Sequence, residues 1–280
     1  MELAEQVRIQ AQAMLGRPGP MSHQQLNEVL RLFAKYRSLL IQNTLLGQYG
    51  AKVLGGPFVG MDFVSSSAEG CHVAKLLGCY ERELHDWVEA IVAENYEVIV
   101  NIGCADGYYS VGFARRCPLT KVFAFDINPI AQKACRELAG RNGVAERVEV
   151  GGLFSPDSFR SFRGRRTLVM IDIEGGELEL LEGIPASELA SFDLMIECHD
   201  CFQSDISVRL MRHFSSSHRL RLIKNSLPET ILPPLFEKLA NLDQLLATWE
   251  WRVGPTPWIF AGSTAWPTSG VLSFLSGVDD

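Results

Sequence analysis

Five residues of this chain have side chains suited to one site: Asp126, Asp172, Glu197, His199 and Asp200. Each closes or directly follows a short apolar run, the position where an open α/β sheet gathers its ligands. A carboxylate there can accept two vicinal hydroxyls, crowded carboxylates need a cation or a shared proton, and a histidine can take a proton near neutral pH. Ahead of them stands Asn101-Ile102-Gly103-Cys104-Ala105-Asp106-Gly107, a turn of small residues whose backbone can lie against a bulky ligand.

The elements that must position these groups read directly from the sequence. Val98–Val100 is an apolar strand, Asn101–Gly107 the turn, Tyr109–Arg116 a helix, and Val122–Phe125 a second strand closed by Asp126. Asp126 stands about twenty residues past the turn, the spacing of a ribose-binding acid. The dinucleotide fingerprint G-x-G-x-x-G is broken, because the line reads Gly103-x-Ala105-x-Gly107 with Asp106 alongside. A diphosphate disfavours that carboxylate, whereas a cationic sulfonium nucleoside suits it. The segment resembles the first two motifs of class I S-adenosylmethionine (AdoMet) methyltransferases.

A narrower resemblance follows from IDIEGGELELLEG (Ile171–Gly183) and DLMIECHD (Asp193–Asp200). These are similar to the hallmark turns of FkbM-type methyltransferases, over roughly residues 95–262 and including a closing strand introduced by GPTPW (Gly254–Trp258). GPFVGM and KLLGCYERELH, nearer the N-terminus, are also similar to parts of some members. The resemblance implies AdoMet as cofactor and, mostly, O-methylation of sugars, polyketides and other natural products. It places Asn101, Gly103, Ala105 and Gly107 along the methionine part, with Asp106 helping to fix its amino group. Asp126 would bind the ribose, Ile127 or Asn128 would border the adenine, and Gly152 and Leu153 would complete that pocket. Asp172 would lie nearest the methyl group. Asn101 departs from the acidic residue that commonly ends the first strand.

A hydroxyl acceptor must lose its proton. His199 as general base is one route, and Mg²⁺ held by Asp172, Glu197 and Asp200 is the other. An inactive partner subunit of the same fold and an N-methyltransferase are the alternatives. Glu174 and Glu177 could instead simply charge a helix N-terminus. His72 and His85 read as packing histidines, and Trp249, Trp251 and Trp258 as core or lid.

The remaining sequence alternates strands and helices: Val148–Val150, Leu168–Ile171, Asp193–Ile196, a helix near Ile206–Phe214, Leu220–Lys224, a helix near Leu235–Leu246, and Trp258–Ala261. This predicts an α/β, Rossmann-like, mainly parallel sheet with helices on both faces. Residues 1–90 read as a helical cap shaping the acceptor pocket, 91–268 as the AdoMet-binding domain, and 269–280 as a loosely held tail. In the cap, Ser22 and Gln25 form a capping box, Leu26, Val29, Leu30, Phe33 and Tyr36 share one helical face expected to pack inward, and Leu76–Val92 reads as one helix. Val53–Phe63 is a loop lying over something.

The chain has 280 residues, 47% of them hydrophobic, and a net charge of -7. That balance argues against nucleic acid as a partner, and the resemblance implies a small-molecule acceptor. The basic run Arg160, Arg163, Arg165 and Arg166 reads as a solvated loop. No apolar run is long enough to span a membrane, and seven irregularly placed cysteines suggest a reduced, cytoplasmic setting. A homodimer is open, since the N-terminal helices could pack on a second subunit.

Overall fold

The structure, a computed structural model, describes residues 2–65, 71–226 and 232–265. The expected tail at 269–280 lies outside the described residues. Seven strands form one sheet: β1 (Val98–Ile102), β2 (Lys121–Phe125), β3 (Val148–Gly151), β4 (Thr167–Ile171), β5 (Phe192–Glu197), β6 (His218–Ile223) and β7 (Trp258–Ser263). Their order is β3-β2-β1-β4-β5-β7-β6. The first five are parallel, and β7 inserts antiparallel between β5 and β6. This is the α/β, Rossmann-like, mainly parallel sheet with helices on both faces that the alternating sequence predicts.

The continuous apolar runs of β1, β4 and β5 are explained by burial at every position, since helices cover both faces. One layer holds Trp87, Ile91, Val111, Phe113 and Leu138 of α4 (His85–Ala93), α5 (Tyr108–Arg116) and α6 (Pro129–Arg141). The other holds Phe154, Phe159 and Phe162 with Leu181 of α7 (Glu177–Leu181) and Leu210 and Phe214 of α8 (Ile206–Phe214). Asn128 caps α6 with Pro129 at its first position, as its sequence signals. After β3 the chain crosses back to β4 on the far side of β1, so the connections that leave β1 and β4 run to opposite faces and open a crevice at the strands' carboxyl ends.

The N-terminal part is helical: α1 (Leu3–Leu15), α2 (His23–Tyr49) and α3 (His72–Leu77). The Ser22–Gln25 capping box forms. The inward face of α2 differs from the expected one. Val29 is buried, but Leu26 is 50% and Leu30 66% exposed; this half of the long helix lies beside α1 and reaches the Trp251 and Arg252 carbonyls through Arg31. Its buried residues lie further on, at Ile41 and Leu45, against α3 and α9 (Asn241–Ala247). The Val53–Phe63 loop does lie over something: Phe58 sits edge-on to Tyr108, Tyr109 and Phe113 of α5.

Three predicted elements are redrawn. The expected helix Leu76–Val92 is broken at Gly78, which takes the left-handed conformation that caps α3, and the chain re-enters helix as α4. The helix expected near Leu235–Leu246 is a 3-10 turn at Pro234–Lys238 followed by the shorter α9. Strand β1 continues through Asn101 and Ile102 before turning, and this changes where Asn101 points.

Candidate active site

The turn after β1 is held by its own backbone. Gly103 (φ 82°) and Cys104 both donate to the carbonyl of Phe125, at 2.8 and 2.9 Å, tying β1 to the end of β2. Asp126 fixes the rest: one carboxylate oxygen accepts the Ala105 N–H at 2.9 Å and the other the Asn128 N–H at 2.8 Å. Each oxygen keeps a second lone pair for a ligand.

A cavity of about 670 Å³ opens beside this turn at the carboxyl ends of β1 to β4. Of the cofactor residues expected from the sequence, Gly103, Asp126, Ile127, Asn128, Gly152, Leu153 and Asp172 line it. Asn101, Ala105, Asp106 and Gly107 do not. Asn101 is still in β1, so its amide turns away and donates to Ser110 of α5 at 2.9 Å. Asp106 is buried. Gly107 packs on Cys135, where an added Cβ would come within 2.7 Å of the sulfur. Among the described residues the cavity wall carries four carboxylates, Asp126, Asp172, Glu174 and Glu179, and no lysine or arginine.

A second cavity, about 230 Å³, shares Asp172 and Glu174 with the first and is completed by Tyr80, Glu197, His199, Phe202, Trp251 and Arg252. His199 stands at its centre, only 3% exposed and stacked on Phe202. Its Nδ1 lies 2.8 Å from Glu177 Oε1, an oxygen that already accepts the Gly175 N–H. Nδ1 is therefore the donor, and Nε2 faces the cavity wall. Glu177, in the first turn of α7, is therefore both a charge at a helix N-terminus and the histidine's partner. Burial opposes the imidazolium, but the Glu177 bond and the charges of Glu197, Glu177 and Glu174 outweigh it and raise the His199 pKa.

Asp200 is directed elsewhere. Its two oxygens accept the backbone N–H and the hydroxyl of Ser207, at 2.9 and 2.5 Å, at the start of α8. The expected Mg²⁺ trio of Asp172, Glu197 and Asp200 is therefore not assembled. Asp172 and Glu197 instead lie within reach of Glu81.

Glu81 belongs to a hub the sequence reading missed. Arg252 reaches Glu197 at 2.5 Å, Glu250 at 2.8 Å, and Glu81 and Glu83 at 3.4 Å each. Tyr109 donates its hydroxyl to Glu81. These residues come from four distant segments, so no local spacing announces them. One signal was available: WEWR (Trp249–Arg252) places two charges among tryptophans just before the GPTPW turn. Glu81 (φ 48°), Glu174 (φ 54°) and Trp251 (φ 63°) all take left-handed backbone, a strain that collects around this site.

Burial and then the charge of Glu197 push the Glu81 carboxyl up to about 8 from its usual 4.5, with Arg252 pulling the other way. Burial likewise raises Glu250. A carboxyl raised in the folded state stabilises the fold below its unfolded pKa, and that stability is lost as pH rises through the folded value. Melting in the presence of chelator is therefore expected at a higher temperature at pH 6 than at pH 8.5. An unchanged or reversed order would contradict the burial of these carboxyls.

The other candidates are structural. His72 Nε2 is 2.6 Å from the Val64 carbonyl and His85 Nε2 3.2 Å from that of Tyr80. Trp258 is fully buried, and Trp251 lines the smaller cavity under the Lys35 ammonium. The basic run is taken up locally, Arg160 by Asp157, Arg163 by Glu188 and Arg166 by Glu94. All seven cysteines are free, and Cys198 is buried while Cys201 borders the smaller cavity. Among the described residues no helix is long and apolar enough to cross a membrane.

No family model matches the chain, and no curated protein matches it. Solved structures do resemble it. A human methyltransferase 10 domain containing protein is 11% identical with a TM-score of 0.48, over 82% of this chain and 96% of that one. A putative O-methyltransferase from Klebsiella pneumoniae is 14% identical with a TM-score of 0.43, over 68% and 82%. The O-methyltransferase of tomaymycin synthesis from Streptomyces achromogenes, solved with SAM, is 14% identical with a TM-score of 0.41, over 65% and 79%. These likenesses are too distant to carry an activity across, and the FkbM-type resemblance rests on its motifs alone.

Proposed function

We propose that this chain is an AdoMet-dependent methyltransferase acting on a hydroxyl of a small molecule. The observation that carries the reading is the larger cavity: it lies at the strand ends of this fold, ends in a carboxylate at Asp126, and has, among the described residues, four acidic and no basic side chains. A dinucleotide diphosphate would meet four like charges there, whereas a sulfonium nucleoside brings a compensating one. The volume of about 670 Å³ falls within the range of about 300–1,000 Å³ usual for such ligands.

In this reading the free lone pairs of Asp126 take the ribose hydroxyls, and the exposed side chains of Ile127 and Leu153 border the base. Bound AdoMet would supply an electrophilic methyl group for an acceptor oxygen lying in line with its sulfur. Asp172 and Glu174, common to both cavities, sit beside the transferred group. The acceptor enters the cavity of about 230 Å³, which suits a small molecule or one ring of a larger one. Its proton leaves to the cluster of Asp172, Glu174, Glu197 and His199.

Asp126→Ala tests the cofactor site. Losing hydrogen bonds to a charged acceptor costs about 1.5–3 kcal/mol, so AdoMet affinity measured by calorimetry is expected to fall about 10- to 100-fold. The Ala105 and Asn128 N–H groups also lose their acceptor, so the titration is made on protein confirmed as folded by circular dichroism. Undiminished affinity would remove Asp126 from the site.

A further inference from the structure

The wall between the two cavities holds donor atoms that no hydrogen bond accounts for. With Nδ1 donating to Glu177, Nε2 of His199 turns its lone pair toward Glu174 Oε2 at 3.4 Å and toward Asp172 Oδ1 and Glu197 Oε2 at 3.7 Å each. These separations are beyond a good hydrogen bond. Asp172 Oδ1 is itself buried without any hydrogen-bond partner. Acceptors facing one another in a partly dry site need a cation or a shared proton between them. Arg252 meets only the other oxygen of Glu197, and Lys35 lies over the Trp251 ring at 4.7 Å.

The spacing discriminates between ions. Around zinc, with bonds of about 2.0–2.2 Å, tetrahedral ligand atoms stand roughly 3.3–3.6 Å apart. Octahedral Mg²⁺, with bonds of about 2.0–2.1 Å, would bring neighbouring ligands to roughly 2.9 Å. Of the separations measured from Nε2, 3.4 Å falls within the first range and 3.7 Å just beyond it, and both are well above the second. A nitrogen ligand also favours a borderline first-row ion over Mg²⁺. The Glu177–His199 hydrogen bond is the outer contact that orients a metal-binding imidazole and keeps its lone pair free.

We propose that Asp172, Glu174 and His199 form a site for a zinc-type divalent ion, with an open position toward the smaller cavity. There the ion would bind the acceptor oxygen and lower its pKa, and the proton would pass to the carboxylate of the cluster that is not a ligand, Glu197. That role rests on the methyltransferase reading, but ion binding does not.

The test uses the whole protein, stripped with EDTA and titrated separately with Zn²⁺, Co²⁺ and Mg²⁺. Expected are one Zn²⁺ or Co²⁺ per chain at micromolar affinity or better, the intense visible absorption of tetrahedral Co²⁺, and no comparable Mg²⁺ binding. Glu174→Gln, at an exposed side chain, and His199→Ala should each weaken Co²⁺ at least about 10-fold, and Glu177→Gln by about 10- to 100-fold. Cys201→Ser should leave it unchanged. The proposal is overturned by absent Zn²⁺ and Co²⁺ binding, by tighter Mg²⁺ binding, by indifference to both Glu174→Gln and His199→Ala, or by loss in Cys201→Ser. A parallel AdoMet titration separates failure of the metal site from failure of the functional reading.

Discussion

Arg252→Met should lower the melting temperature by roughly 10 °C at pH 8, and much of that loss should return toward pH 5. The guanidinium faces Glu81, Glu83, Glu197 and Glu250, all with side chains no more than 10% exposed. Removing one partner of a buried ion pair typically costs about 3–5 kcal/mol, because the remaining charge stays desolvated. In a domain of this size each kcal/mol shifts the midpoint by about 2–4 °C. The pH dependence follows from the sign of the shifts. Arg252 is the cation that lowers the pKa values of Glu81 and Glu250, so its loss raises them further, and protonation then relieves the repulsion. Thermal melts at both pH values check this. A variant as stable as the parent at pH 8 would mean that the four carboxyls are not held together in solution.

Gly103→Ala should be more damaging than its one added carbon suggests, whereas Gly152→Ala should be nearly silent. At Gly103 the backbone is left-handed (φ 82°), and a Cβ would fall 1.6 Å from the carbonyl oxygen of Asp172 and 2.7 Å from its carbonyl carbon. Neither is the movable end of a side chain. The strand ends β1 and β4 would have to separate, breaking the bond from the Asp172 N–H to the Ile102 carbonyl and displacing Asp172 from both cavities. Strain and contact together cost several kcal/mol, so Gly103→Ala should melt at least about 10 °C lower and lose AdoMet affinity. At Gly152 the nearest atom to an added Cβ is Gln132 Nε2 at 3.8 Å, so melting should move by no more than about 2 °C. Equal behaviour of the two variants would contradict the close approach of β1 and β4.

Much of this was legible in the sequence because it is local. Apolar runs end where strands end, a glycine turn follows the first, and Asp126, Asp172, Glu197 and His199 come at the carboxyl ends because the chain repeats one unit. What failed did so for geometric reasons. Asn101 reads as part of the turn, but two further residues of strand reverse the direction of its side chain. The α2 face was misjudged because helical period gives the relative angles of Leu26, Val29 and Leu30, not which side another element covers. Asp200 looks like a ligand beside His199, yet α8 starts within its reach and takes both its oxygens. Arg252 could not be placed because its partners, Glu81, Glu83 and Glu197, are distant in the chain and meet only through the sheet. The left-handed residues Glu81 and Trp251, which turn that hub inward, leave no mark that composition records.

The central claim, that the acidic cavity is built for a sulfonium nucleoside, is tested most directly by calorimetric titration of the EDTA-treated protein with AdoMet and, separately, with NAD. Saturable AdoMet binding in the micromolar range, weakened by Asp126→Ala and with no NAD binding, is the predicted result. NAD binding, or no AdoMet binding by folded protein, would contradict it.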